Sequence, residues 1–155
     1  MSLRIKGESK REFIIKLSLY SAIYGLLSIN YIDLVIPGSN VPGYHLWLLF
    51  QYFLPFIPLL FLLGFDDWEL VLSMGLLGSL FNDLGYAPIG MLIFNRKFDL
   101  INWYSFQLGF QGYKVWWYFD AVIFRIPVTS IGMGISIYTR ITLTFLLCLK
   151  WWRED

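Results

Sequence analysis

Long apolar runs separated by short polar breaks dominate the chain. A membrane-crossing helix needs about 20 mostly apolar residues, and four stretches approach that length. The first covers residues 17–36; it holds Ser18, Ser21, Ser28 and Asn30, with Asp33 near its end. Pro37, Gly38, Ser39, Asn40, Pro42 and Gly43 then make a turn-rich break. The second covers residues 45–65 and has no charge. Its Pro55 and Pro58 predict a kink, because each removes a backbone donor and crowds the preceding turn. Gly64–Asp67 reads as a tight turn, with Asp66 or Asp67 as N-cap of the next helix.

The third stretch, residues 68–94, is apolar around Leu70–Leu80, then meets Asn82, Asp83, Gly85 and Pro88. A helix there could end near Tyr86, kink at Pro88, or break and resume; Asn95-Arg96-Lys97 closes it. Residues 99–120 are aromatic but carry Gln107, Gln111 and Lys114. Trp and Tyr prefer the headgroup level, so this segment reads as interfacial or re-entrant. The last span is expected over residues 121–149, beginning near Ala121 or Val128, with Pro127 early enough to be tolerated. Barrel strands alternate apolar and polar residues; these runs are apolar on both faces. The pattern therefore predicts an all-α integral membrane protein, about four transmembrane helices in one bundle, as a single transmembrane domain over residues 1–155.

Composition sharpens this picture. The chain is 57% hydrophobic and only 15% charged, against about a quarter charged in ordinary soluble domains. So few polar residues cannot clothe a soluble enzyme of this size. The formal net charge of +1 gives no field that would attract nucleic acid. The expected partners are the lipid bilayer and other membrane chains, or a second copy of this one.

Charge also sets orientation. Arg4, Lys6, Lys10, Arg11 and Lys16 precede the first span, and Lys150 and Arg153 follow the last. The positive-inside rule then puts both termini in the cytoplasm, with Arg96, Lys97 and Lys114 outside as exceptions. The basic start resembles a signal peptide, but no A-x-A cleavage pattern follows, so an uncleaved first span is expected. Scarce alanine beside abundant Ile, Leu and Tyr points to an AT-rich prokaryotic genome and its cell membrane.

Few residues offer chemistry. The single cysteine, Cys148, allows no intramolecular disulfide, and the single histidine, His45, reads as an interfacial surface residue. Neither suggests a metal, haem or other cofactor, and no catalytic residue can be named. The acidic cluster Asp66, Asp67 and Glu69 is explained by helix capping and dipole complementarity. Asp33 is expected to be solvated, and Asp120 to cap a helix or pair with Arg125.

Asp83 and Arg140 fall near mid-span, where a charge costs at least ~2.5–3.5 kcal/mol and seeks a partner. Gly75, Ser79, Asn82 and Asp83 share a broad face of span three; Gly132, Ser136 and Arg140 recur every four residues on span four. Small residues on such stripes let backbones approach. Spans three and four are therefore expected to pack together through Gly75, Ser79, Gly132 and Ser136, with Asp83 meeting Arg140. That pair either locks two helices or, with Asn82, forms an intramembrane polar site.

Three functions fit. The chain is first read as a non-catalytic subunit or packing partner of a larger membrane complex, on its size and its aromatic 99–120 segment. The alternative is a channel or transporter component working through Asn82, Asp83 and Arg140. The third is a small intramembrane enzyme acting on a lipid or quinone, with Asp83 as acid or base.

Overall fold

The computed structural model describes residues 10–36 and 41–153. Arg4 and Lys6, and the predicted break at Pro37–Asn40, lie outside the described residues. The fold is mostly helical, and four helices are long and apolar enough to cross a membrane: Lys10–Val35, Tyr44–Leu63, Phe65–Phe94 and Ser130–Arg153.

The first of these is α1 (Lys10–Ile23), a π-helical stretch (Tyr24–Ile29) and α2 (Asn30–Val35) in one rod. A π turn frees carbonyls that an α-helix would use. Asn30 Nδ2 takes up two of them, donating to Leu26 O at 3.0 Å and Gly25 O at 3.4 Å. The second pairs α3 (Tyr44–Phe53) with α4 (Ile57–Leu63). The helix is interrupted at residues 54–56, beside Pro55 and Pro58, as the missing donors require.

The third opens with a 3₁₀ turn (Phe65–Asp67) and continues as α5 (Trp68–Phe94). Asp67 occupies the N-cap position without making a cap bond; its carboxylate accepts instead from Trp151 Nε1. Glu69 meets Lys150 at 2.5 Å. The acidic cluster thus ties the start of α5 to the end of the last helix, which the capping reading had not foreseen. α5 runs unbroken through Pro88 and stops at Asn95, in the left-handed region at φ 51°. Pro88 cannot donate to Leu84 O, four residues back, and the Tyr104 hydroxyl donates to that carbonyl at 3.0 Å. The helix therefore survives its proline because another element supplies the missing donor.

The all-α expectation needs correction between residues 99 and 129. The interfacial or re-entrant segment is a short helix, α6 (Leu100–Gln107), capped by Asp99, followed by a β-hairpin. Strand β1 (Val115–Asp120) pairs antiparallel with β2 (Arg125–Thr129), bringing Asp120 opposite Arg125 and Tyr118 opposite Pro127. The aromatic and β-branched side chains that suggested a headgroup belt are equally good strand formers. Pro127 is tolerated because a two-stranded ribbon has free edges. The last long helix, α7 (Ser130–Arg153), accordingly starts close to the later of the two expected positions, Val128, and not near Ala121.

α5 is the central helix. In its most apolar stretch 44% of residues are buried, against 17% in each of the other three spans. Its glycines admit its neighbours: a Cβ on Gly25 would fall 2.0 Å from Gly78 O, so the first span and α5 touch backbone to backbone. Ser21 Oγ donates to Met74 O at 2.6 Å along the same seam. At one end Phe56, Leu70, Val71, Met74 and Trp151 form a core; at the other Leu80, Phe106, Met133 and Ile137 do. Large apolar side chains such as Leu19, Phe61 and Phe145 face outward.

Candidate functional site

Between these elements lies a cavity of about 1120 Å³. Its walls come from the end of the first span, α3, the C-terminal half of α5 and the N-terminal half of α7; α6 and the hairpin roof it. Asp83 and Arg140 sit at its inner end. Arg140 Nη2 meets Asp83 Oδ2 at 2.5 Å, Nη1 donates to Ser79 Oγ at 3.1 Å, and Nε donates to Ser136 O at 3.3 Å. The side chains keep 14% (Arg140) and 22% (Asp83) of their surface exposed, so the pair is partly open to the cavity.

The small-residue stripe departs from the packing expected of it. Gly132 and Ser136 are exposed and line the cavity; they form a wall and not a seam between helices. Gly75 packs on α3, where its Cβ would fall 2.1 Å from the Phe53 ring, and not on α7. Ser79 alone of the four bridges α5 to α7, through Arg140. The close approach on α7 is at Gly134, where a Cβ would fall 2.8 Å from Gly109 Cα and from Leu108 O. Ser130 Oγ reinforces that seam by donating to Phe106 O at 2.8 Å. These residues turn α7 so that Gly132, Ser136 and Arg140 face the cavity.

Asn82 is 1% exposed and engaged elsewhere. Its Oδ1 accepts from Tyr52 OH at 2.6 Å and its Nδ2 donates to Asn30 Oδ1 at 2.8 Å. This chain of hydrogen bonds joins three spans, and it holds Asn82 in the cavity wall rather than beside the charge of Asp83 as a free ligand.

Several cavity residues were not singled out from sequence as site residues. Asp33, expected to be solvated, lines the cavity and accepts from Tyr44 OH at 2.7 Å. Arg96 lines it from the end of α5, donating to Leu34 O at 2.6 Å and to Tyr86 OH at 3.4 Å. His45, expected on the surface, stacks on Trp117 with ring centroids 4.8 Å apart, and its Nδ1 accepts from Asp120 N at 3.2 Å. Asp120 Oδ1 accepts from Val122 N and Gly43 N, and Arg125 lies 3.7 Å from Oδ2. Those two backbone hydrogen bonds, with Arg125 and His45 adding, hold the Asp120 carboxyl below the usual range. The hairpin is thereby latched to the start of α3.

On the roof, Trp103 Nε1 and Gln107 Oε1, one turn apart on α6, are buried without a hydrogen-bond partner among the described residues. No group of three or more His, Cys, Asp or Glu that could hold a metal occurs among the described residues. Against protein-family models, curated proteins and solved structures, the chain has no match.

Proposed function

We propose that this chain is a small helical integral membrane protein, crossing the bilayer four times, that holds a polar solute in the cavity between its spans. The observation that carries the reading is the cavity itself, with Asp83 and Arg140 paired at its inner end. A charge in a bilayer costs at least ~2.5–3.5 kcal/mol and characteristically faces the protein interior or water. Pockets of this size hold small molecules and orient them with a few placed polar groups.

Four crossings leave both termini on one side, and the basic residues of positions 4–16 with Lys150 and Arg153 favour the cytoplasm. The hairpin end of the cavity then faces outward. The role that fits is the solute-binding component of a membrane transport system.

A specific observation also favours the subunit reading. Outside the four long helices, Ile101 is 85% exposed on α6 and Ile123 is 88% exposed at the hairpin turn, with Phe110 and Tyr113 also bare. Apolar exposure of this kind marks interaction surfaces. The two readings join if a partner chain completes the path for the solute. Nothing in the cavity favours an enzyme acting on a lipid or quinone over either.

Cysteine labelling tests the proposal. Cys148 is the single native cysteine, so Cys148→Ser gives a blank background. Ser136→Cys on the cavity wall is expected to react with a water-soluble maleimide from the outer side of sealed vesicles. Phe145→Cys, on an outward apolar face, is expected not to. Equal rates at the two positions would contradict an aqueous cavity.

A further inference from the structure

Three acids and three arginines line the cavity: Asp33, Asp83, Asp120, Arg96, Arg125 and Arg140. Four of them are paired. Asp83 meets Arg140 at the inner end and Asp120 meets Arg125 on the hairpin. The other two, Asp33 and Arg96, make no ion pair with each other or with any described residue.

They are nevertheless close neighbours. Arg96 Nη2 is anchored on the carbonyl of Leu34, the residue next to Asp33 in the chain. Asp33 accepts from the Tyr44 hydroxyl, and the Asn82 amide and the Arg96 charge also act on its carboxyl; a carboxylate accepts about four hydrogen bonds in all, so capacity remains. Arg96 donates to Leu34 O and Tyr86 OH, which leaves part of its five-donor fork unused. Asp33 is half-buried and Arg96 is exposed at the mouth of the cavity; a carboxylate partly withdrawn from water is stabilised by a counter-charge, and an exposed guanidinium is free to take an anion. Here the wall presents one of each sign, beyond ion-pair distance but near enough for Arg96 to act on the Asp33 carboxyl.

The aromatic surroundings add to this. The Tyr44 and Tyr86 rings line the same region, and Tyr86 stacks on Trp103 at 5.4 Å. Ring faces attract an ammonium, and a guanidinium fork suits a carboxylate or phosphate.

We propose that Asp33 and Arg96 together bind a zwitterion, the ammonium group on Asp33 and the anionic group on Arg96. This deepens the solute-binding reading and rests on it. The shared chemistry is a cation and an anion a few bonds apart. Its source is a free amino-acid-like solute or the head group of a zwitterionic lipid.

The test uses the full chain in neutral detergent and reads binding by titration calorimetry. For the solute source the probes are phenylalanine, phenethylamine and 3-phenylpropionate, which differ only in the charges they carry. For the lipid source they are glycerophosphoethanolamine, ethanolamine and glycerophosphoglycerol, whose phosphodiester carries a single negative charge. One of the two zwitterions is expected to bind at least about tenfold more tightly than either of its singly charged analogues, the scale of one lost charged hydrogen bond. Which series shows the preference identifies the source. Arg96→Gln is expected to bring that zwitterion down to the level of its amine analogue, and Asp33→Asn to the level of its anionic analogue. The comparison of probes on the unsubstituted chain stands even if a variant folds poorly.

A singly charged analogue that binds as tightly as its zwitterion would overturn the proposal, as would the absence of binding in both series. If Ser136→Cys labels from the outside and no zwitterion binds, the inference alone falls. If Ser136→Cys does not label, the solute-binding reading falls with it.

Discussion

Single side chains decide whether the long helices can keep their unusual features. Pro88 strands the Leu84 carbonyl, and the Tyr104 hydroxyl serves it at 3.0 Å. Tyr104→Phe is expected to cost about 1–3 kcal/mol, the range for a buried acceptor left unsatisfied. Pro88→Ala restores a donor for that carbonyl, so the double variant should lose less than Tyr104→Phe alone. Denaturant melts in detergent measure both; equal losses with and without Pro88 would contradict the compensation. The Asp83–Arg140 pair behaves in the same way. Asp83→Asn or Arg140→Gln alone should destabilise by about 1–3 kcal/mol, less than a fully buried pair because both side chains touch the cavity. The double change should recover part of that loss, because it leaves neither charge stranded.

Close backbone contacts set the placement of the elements. Gly25 leaves no room for a side chain against Gly78 O. Gly25→Ala should therefore push the first span off α5 and cost at least about 1–3 kcal/mol by overpacking, whereas Ser136→Ala, on the exposed cavity wall, should change stability by less than ~0.5 kcal/mol. The hairpin carries a pH dependence. Asp120 has a folded-state carboxyl pKa below its ordinary value, so the anchoring it contributes is fully present above about pH 4 and is lost as pH falls through the depressed value. Hydrogen exchange at the Val122 and Gly43 amides should quicken, relative to the intrinsic rate, only in that acid range. Asp120→Asn should remove the pH dependence.

Sequence legibility divides along the same line. The four long apolar helices are legible because bilayer-length apolar runs with turn residues between them are a strong signal, and the break at Pro55 and Pro58 follows from one missing donor each. The hairpin could not, since Val-Trp-Trp-Tyr-Phe-Asp satisfies both a strand and an interfacial belt. The stripe Gly132, Ser136, Arg140 was visible as a stripe, but small residues serve a packed seam and an open wall alike. Its direction depends on how α7 is rotated, which Gly134 against Gly109 determines. Asp33 and Arg96 are visible singly in the sequence but not as neighbours, because their neighbourhood arises only when the end of the first long helix meets the end of α5.

In the assembled molecule, four long apolar helices surround a mostly apolar cavity set with acids and arginines, capped by an aromatic helix and hairpin. The solute proposed for this cavity belongs to the same scale. Native mass spectrometry of the protein released from a gentle detergent tests it most directly, with Ser136→Trp beside the unsubstituted chain to fill the cavity. A small-molecule adduct is expected on the unsubstituted chain and not on a folded Ser136→Trp variant. No adduct on either, or the same adduct on both, would contradict the proposal.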